Sequence, residues 1–204
     1  RDRSVSRGLG DVYKRQLSEC PVLLGEILDV LYYNYDRIDF VDAPVDLGFE
    51  CPLDLHCTYS RDQILAALDF MKPGTVREGT KYLPDKKTDV HFVTLNKAEK
   101  DYSPTTMYED YSINEVLFHW QSQSTTSQSS TTGQRYMNHR SMGVRELLFV
   151  REFKSGKLGA ALYTFLGLAD FLSVNGSKPM NITWRLHEPI PAKYLRKTNK
   201  LVVG

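Results

Sequence analysis

Residues 88–95, TDVHFVTL, largely alternate polar and apolar side chains and are rich in β-branched and aromatic types, the period-two pattern of a strand. Four later segments share that texture: VLFHWQSQ (116–123), ELLFVREF (146–153), ALYTFLG (161–167) and MNITWRL (180–186). Before Gly74 the pattern is helical instead. Val22, Leu23, Ile27, Val30 and Leu31 recur at helical spacing over Pro21 to Tyr33, with Ser18 upstream and Pro21 in a first turn. In YSRDQILAALDFM (59–71), Ser60 and Gln63 form a capping box, Ile64, Leu65, Leu68 and Met71 form an apolar stripe, and Pro73-Gly74 stops the helix. The order of elements predicts an α+β protein, with a short helical lead-in followed by a mostly antiparallel, curved β-sheet or barrel-like domain.

The expected organisation has three parts: residues 1–16, an acidic helical lead-in and linker over 17–72, and a β-rich domain over 73–204. The first part, RDRSVSRGLGDVYKRQ, is basic and invites reading as a nucleic-acid-binding arm or a transit peptide. Back-translation of Ser6 to Gln16 instead reproduces the end of a common transposase-type sequencing adapter. Residues 1–16 are therefore read as adapter-derived and non-native, and Leu17 as the interior of a longer protein.

Without them the charge changes sign, from 26 basic and 25 acidic residues to 21 and 23. The remaining charge is lopsided: 11 acidic and 2 basic residues over 17–70, then 12 acidic and 19 basic over 71–204. Two units with different neighbours are expected from that asymmetry. No stretch approaches the ~20 apolar residues of a membrane span. Three cysteines, Cys20, Cys51 and Cys57, without a tandem C-x-x-C, argue for a reducing cytoplasm and for buried structural thiols. Cys51, His56 and Cys57 lack an evident fourth metal ligand.

The chain has no G-x-x-x-x-G-K-[ST] phosphate loop, no H-E-x-x-H and no G-x-S-x-G. ATP hydrolysis is not expected of it, nor any cofactor. In LLFVREFK, a hydrophobic strand delivers Glu152 and Lys154 in the manner of the second half of a Mg²⁺-dependent nuclease motif. The upstream acid that such a motif needs is poorly placed, since Pro84-Asp85 is distant and Asp110 lacks a preceding proline.

FHWQSQ followed by GQRYMNH is chemically richer. Trp120, Tyr136 and His139 offer stacking faces, Arg135, Arg140 and Arg151 phosphate contacts, and Gln121, Gln123, Gln134 and Asn138 amide readers. The candidate nucleic-acid-binding set is Trp120, Gln121, Gln123, Arg135, Tyr136, His139 and Arg151. Because Phe118 and Trp120 share one face of their strand and His119 and Gln121 the other, Trp120 also fits a core position. Between these blocks, QSQSTTSQSSTTGQ (121–134) reads as a mobile loop or hairpin tip. SPTTMYEDYSINE (103–115) offers Ser103 or Thr105 as the cap of a short helical turn, and PAKYLRKTNK (191–200) is a basic tail.

Six blocks taken in order, YSRDQILAALDF, DVHFVTLNKAEKDYSPTTMYEDYSINEVLFHWQSQSTT, TGQRYMNH, LLFVREFK, YTFLG and KPMNITWRL, resemble the uncharacterised domain that closes many bacterial superfamily-two (DEAD/DEAH-type) helicases. Those helicases often begin with a phospholipase-D-like nuclease domain. The resemblance spans Leu17 to Gly204 and supplies no catalytic residue. It implies a missing helicase core upstream, which would hold the ATP and Mg²⁺, and it implies DNA and that core as partners, with no membrane. It thus suggests a cytoplasmic accessory domain of a restriction, defence or repair helicase, with a Mg²⁺-dependent nuclease module or a structural docking domain as alternatives.

Overall fold

The computed structural model describes residues 16–35, 44–96, 110–156, 159–192 and 194–195. The expected helical turn capped by Ser103 or Thr105, the adapter-like residues 1–15 and the basic positions Lys193, Arg196, Lys197 and Lys200 lie outside the described residues. The chain forms two units, divided between Asp42 and Ala43. The described part of the first contains helix α1 (Pro21–Tyr35). Val22, Leu23, Val30, Leu31, Tyr32 and Tyr33 are exposed on it. No helix among the described residues is long and apolar enough to cross a membrane.

The second unit is built on one mixed sheet. Its elements in chain order are β1 (Thr58–Tyr59), α2 (Arg61–Ala67), β2 (Thr80–Leu83), β3 (Thr88–Thr94), β4 (Tyr111–Ser112), β5 (Leu117–Gln121), α3 (Thr131–Met137) and β6 (Arg145–Arg151). A two-strand hairpin of β7 (Ser155–Gly156) and β8 (Gly159–Ala160) follows, then β9 (Tyr163–Asn175) and β10 (Asn181–Leu186). The strands lie in the order β2-β3-β6-β9-β10-β5-β4, with β1 added to the start of β9. Only β3 and β6 pair in parallel; the other pairings are antiparallel among the described residues. The architecture is α+β, and the sheet is open, with β2 and β4 as its unjoined ends. The barrel alternative is therefore not realised.

Period-two alternation divides the central strands between two cores. On one face Val90, Phe92, Leu147, Phe149 and Phe165 pack with Ile64, Leu65 and Leu68 of α2 and with Leu47 and Leu53. On the other, Val93, Leu148, Val150 and Leu166 pack with Phe118, Trp120, Ile182, Trp184 and Tyr136 of α3. With both faces covered, all seven residues of β3 are buried, including its polar ones.

The capping box forms as expected: the Ser60 side chain accepts from the Gln63 backbone N–H, and Gln63 Oε1 accepts from the Ser60 N–H. Ile64, Leu65 and Leu68 point inward, whereas Met71 is exposed. Helix α2 and the preceding Leu47 and Leu53, expected in the acidic lead-in, thus complete the core of the β-rich unit. Acidity along 43–70 marks the solvent side of this segment; its apolar residues decide where it packs.

One correction concerns residues 121–134. The expected mobile loop or hairpin tip is a turn leading into α3, and the Ser130 side chain caps that helix by accepting from the Gly133 N–H. Its amides are used as fasteners: Gln128 Nε2 donates to the Gly176 carbonyl at 2.8 Å and Gln134 Nε2 to the Gln128 carbonyl at 2.8 Å. Low hydrophobicity here goes with the hydrogen bonding of turns and caps.

Candidate nucleic-acid interface

A cleft of about 950 Å³ opens beside the ends of β3, β5 and β6. Phe92, Val93 and Thr94 from β3, Trp120 and Gln121 from β5, and Tyr163 at the start of β9 line it. Four basic side chains also line it: Arg61, Arg77, Arg151 and Lys154.

Strand pairing explains how residues so distant in sequence meet. Tyr59 pairs with Tyr163, which places Arg61, at the first turn of α2, beside the start of β9. Val150 pairs with Thr164, which brings Arg151 to the same place from β6. Arg61 Nη1 donates to the Val76 carbonyl at 3.0 Å and Nη2 to the Tyr163 hydroxyl at 3.4 Å, with its guanidinium 4.9 Å from the Phe92 ring centre. Arg151 Nε donates to Thr94 Oγ1 at 2.9 Å and Nη1 to the Ala161 carbonyl at 3.4 Å, with its guanidinium 4.4 Å above the Tyr163 ring.

Two carboxylates line the same cleft, and amides engage each of them. Glu78 Oε2 accepts from Gln123 Nε2 at 2.5 Å, and Asp110 Oδ1 accepts from the Gln121 backbone N–H at 2.9 Å. Gln121 Nε2 donates to Asn181 Oδ1 at 2.6 Å.

The sequence-predicted residues separate into two groups. Trp120, Gln121, Gln123 and Arg151 line the cleft. Arg135, Tyr136 and His139 do not, and their expected roles as contacts are corrected by their surroundings. Arg135 is bidentate on Asp89, at 2.5 and 3.1 Å, and Asp89 is 1% exposed. Tyr136 is buried among Trp120, Trp184 and His91, and burial pushes its hydroxyl pKa upward. His139 is buried and accepts from the Phe171 backbone N–H at Nε2, 3.0 Å away, with Val144 O 3.1 Å from Nδ1. Trp120 is itself 5% exposed, so it forms wall rather than an open stacking face. All three misplaced residues belong to α3 or its end, a helix that the Ser/Thr/Gln texture concealed.

Beneath Trp120 lies a buried polar cluster. His91 Nε2 and Glu146 Oε2 are 2.6 Å apart, both side chains are fully buried, and Trp120 sits edge-on to His91 at 4.6 Å. Burial holds the Glu146 carboxyl well above its ordinary pKa, the Asp89 carboxylate adding to the rise and Arg135 offsetting part of it. Burial also pushes the His91 imidazole down to about 3, and the charges of Arg135 and His139 act in the same direction. Geometry alone would allow an ion pair here. Desolvation penalises both charged forms, which favours a neutral carboxylic acid facing a neutral imidazole over an ion pair.

Glu152 and Lys154 part company. Lys154 faces the large cleft, while Glu152 lines a second depression of about 290 Å³ with Phe153 and Thr164. Among the described residues no group of three or more His, Cys, Asp or Glu is placed to hold a metal ion. Cys51 and Cys57 are half-buried and Cys20 is exposed, and none of the three is in a disulfide.

The residues missed at the sequence level are Arg61 and Arg77. Arg61 reads locally as the opening of a capped helix, and only the β1–β9 pairing brings it to Arg151. No curated protein matches the chain. The family model described as a domain of unknown function (DUF3427) matches residues 53–197, a span that includes α2, the whole sheet and every residue lining the cleft. The chain therefore belongs to this domain family, DUF3427.

Proposed function

We propose that the chain is the C-terminal accessory part of a bacterial superfamily-two helicase, acting in the cytoplasm in restriction, defence or repair, and that its β-rich unit binds DNA while a motor supplied by the rest of the protein translocates. In this reading the fragment is a binding module rather than an enzyme, and ATP and Mg²⁺ belong to the motor. The carrying observation is the cleft, in which Arg61, Arg77, Arg151 and Lys154 stand around apolar walls and the amide-bearing Gln121 and Gln123. Basic side chains contact phosphates and release counterions, and amides read base edges. The helicase setting rests on the resemblance of the six sequence blocks.

The test is fluorescence anisotropy of labelled single-stranded and duplex DNA with the full chain, across about 50–200 mM salt. Binding that weakens steeply as salt rises is the expected result. A flat response for both DNA forms overturns the proposal. Arg77→Gln with Lys154→Gln, two exposed positions at the cleft, should weaken binding and flatten its salt dependence.

Docking onto the helicase core is supported separately by α1, which exposes eight large apolar side chains, Ile27 and Leu28 among them. Substituting Val22, Leu23, Val30 and Leu31 by Ser should release the chain from a co-expressed helicase core without changing DNA affinity. Retained association would remove this second reading.

A further inference from the structure

The cleft holds two half-buried guanidiniums that no carboxylate among the described residues neutralises. Among the described residues Arg61 and Arg151 bond carbonyl and hydroxyl oxygens only, and they lie against the rings of Phe92 and Tyr163. We infer that Arg61 and Arg151, which both contact Tyr163, form the seat for one phosphodiester of an unpaired nucleic-acid strand. This rests on the DNA-binding reading above and gives it a particular ligand and anchor.

The argument is first electrostatic. A partly desolvated cation is costly unless an anion meets it, and neutral oxygens orient a guanidinium without cancelling its charge. Half-buried Arg135 meets that requirement by pairing with Asp89. Arg61 and Arg151, like Arg145 on the Lys86 carbonyl, have no carboxylate partner among the described residues, although Glu78 and Asp110 line the same cleft as the first two and accept from amide donors.

The second argument is geometric. Each guanidinium uses two of its five N–H groups on the protein, which fixes its plane and leaves the others for a ligand. Such pre-orientation lowers the entropy lost when the planar fork meets a phosphate. Both forks converge on one side chain, Tyr163, which is buried.

The third argument separates single strand from duplex. The seat is recessed, with Phe92 and Tyr163 buried beneath the two guanidiniums. A strand without its complement can bend one phosphate into the recess and lay its bases along Val93, Ala161 and the rim of Trp120. A duplex presents its phosphates on a stiff outer surface. The cleft volume of about 950 Å³ is at the upper end of the roughly 300–1,000 Å³ of a small-ligand site.

The experiment uses the full chain, a fluorescein-labelled oligothymidylate and a labelled duplex of equal length, across about 50–200 mM salt. Arg61→Gln and Arg151→Gln should each weaken oligothymidylate binding about tenfold and lower the salt slope by about 0.7, the share of one phosphate. The double variant should lose little more than either single one, because both side chains act on the same group. Arg151→Lys, which preserves charge and guards against a folding defect, should keep the slope with intermediate affinity. Wild-type DNA binding with unchanged variants, tighter binding of duplex than of single strand, or losses that add in the double variant would each overturn the seat while leaving the DNA-binding reading in place. A slope that falls for Arg151→Lys as it does for Arg151→Gln would also overturn the seat. Failure of the wild-type chain to bind either DNA would remove both.

Discussion

Glu146 shares a proton with His91 inside the sheet's second core, and the sign of its contribution to stability follows from linkage. An acid whose folded-state pKa is raised keeps its proton after the unfolded chain has released it. Its stabilisation is complete below the ordinary value of 4.5 and is lost as pH climbs toward the folded value. The imidazole acts in the opposite window. Below its ordinary 6.5 the unfolded chain gains a proton that folded His91 refuses until about 3, so acid destabilises the fold. Above neutrality only the Glu146 slope remains of the two. The melting temperature of the wild type relative to Glu146→Gln should therefore fall as pH rises above the ordinary 4.5, followed by circular dichroism; a constant difference would show an ionised carboxylate. Arg135 makes the matching point about charge. Arg135→Ala leaves Asp89 buried and uncompensated, and should cost about 3–5 kcal/mol in urea unfolding. DNA affinity per folded molecule should not change, because Arg135 does not line the cleft.

Among the elements, two short helices of seven residues owe their stability to caps and contacts, since isolated helices of that length are not stable in water. Ser60→Ala removes half of the capping box of α2 and should cost about 1 kcal/mol, read from the midpoint of chemical denaturation. Helix α3 depends on close approach. A Cβ at Gly133 would stand 2.0 Å from the Ser127 carbonyl oxygen and 2.9 Å from Met180 Sδ, so Gly133→Ala must displace backbone and should cost about 1–3 kcal/mol. Gly167 serves β9 differently. It adopts φ +91 where the register with β6 shifts, next to Leu148, and the extra residue puts Leu168 on the face of Phe165 and Ala169 on the face of Leu166. The capped start of α2 was legible because its signal is local, three residues apart. The start of α3 was not, because Ser, Thr and Gln serve loops and helix caps equally well until a partner surface selects one.

For the molecule as a whole, one sheet separates two cores, and neighbouring residues report on different ones. Leu147 and Leu148 are both fully buried, the first against α2 and the second beside Trp184 and Ile182. Leu147→Ala and Leu148→Ala should each cost about 2–5 kcal/mol. Their effects should add to within about 0.5 kcal/mol if the cores are independent, which a double-mutant cycle measures. Five strands were readable from alternation and β-branched content, as were α1 and α2, since each is a pattern within a dozen residues. By itself, then, the sequence determined the α+β class and the position of those elements. Only the tertiary structure decided the parallel pairing of β3 with β6, the open rather than closed sheet, the pairing of Arg135 with Asp89, and the burial of Tyr136 and His139. It alone brought Arg61 to Arg151 across ninety positions of chain, through β1 pairing with β9. The physical reason is the range of each interaction. Helix caps and strand alternation are set by neighbours along the chain, whereas burial and charge compensation depend on which distant strand lies alongside.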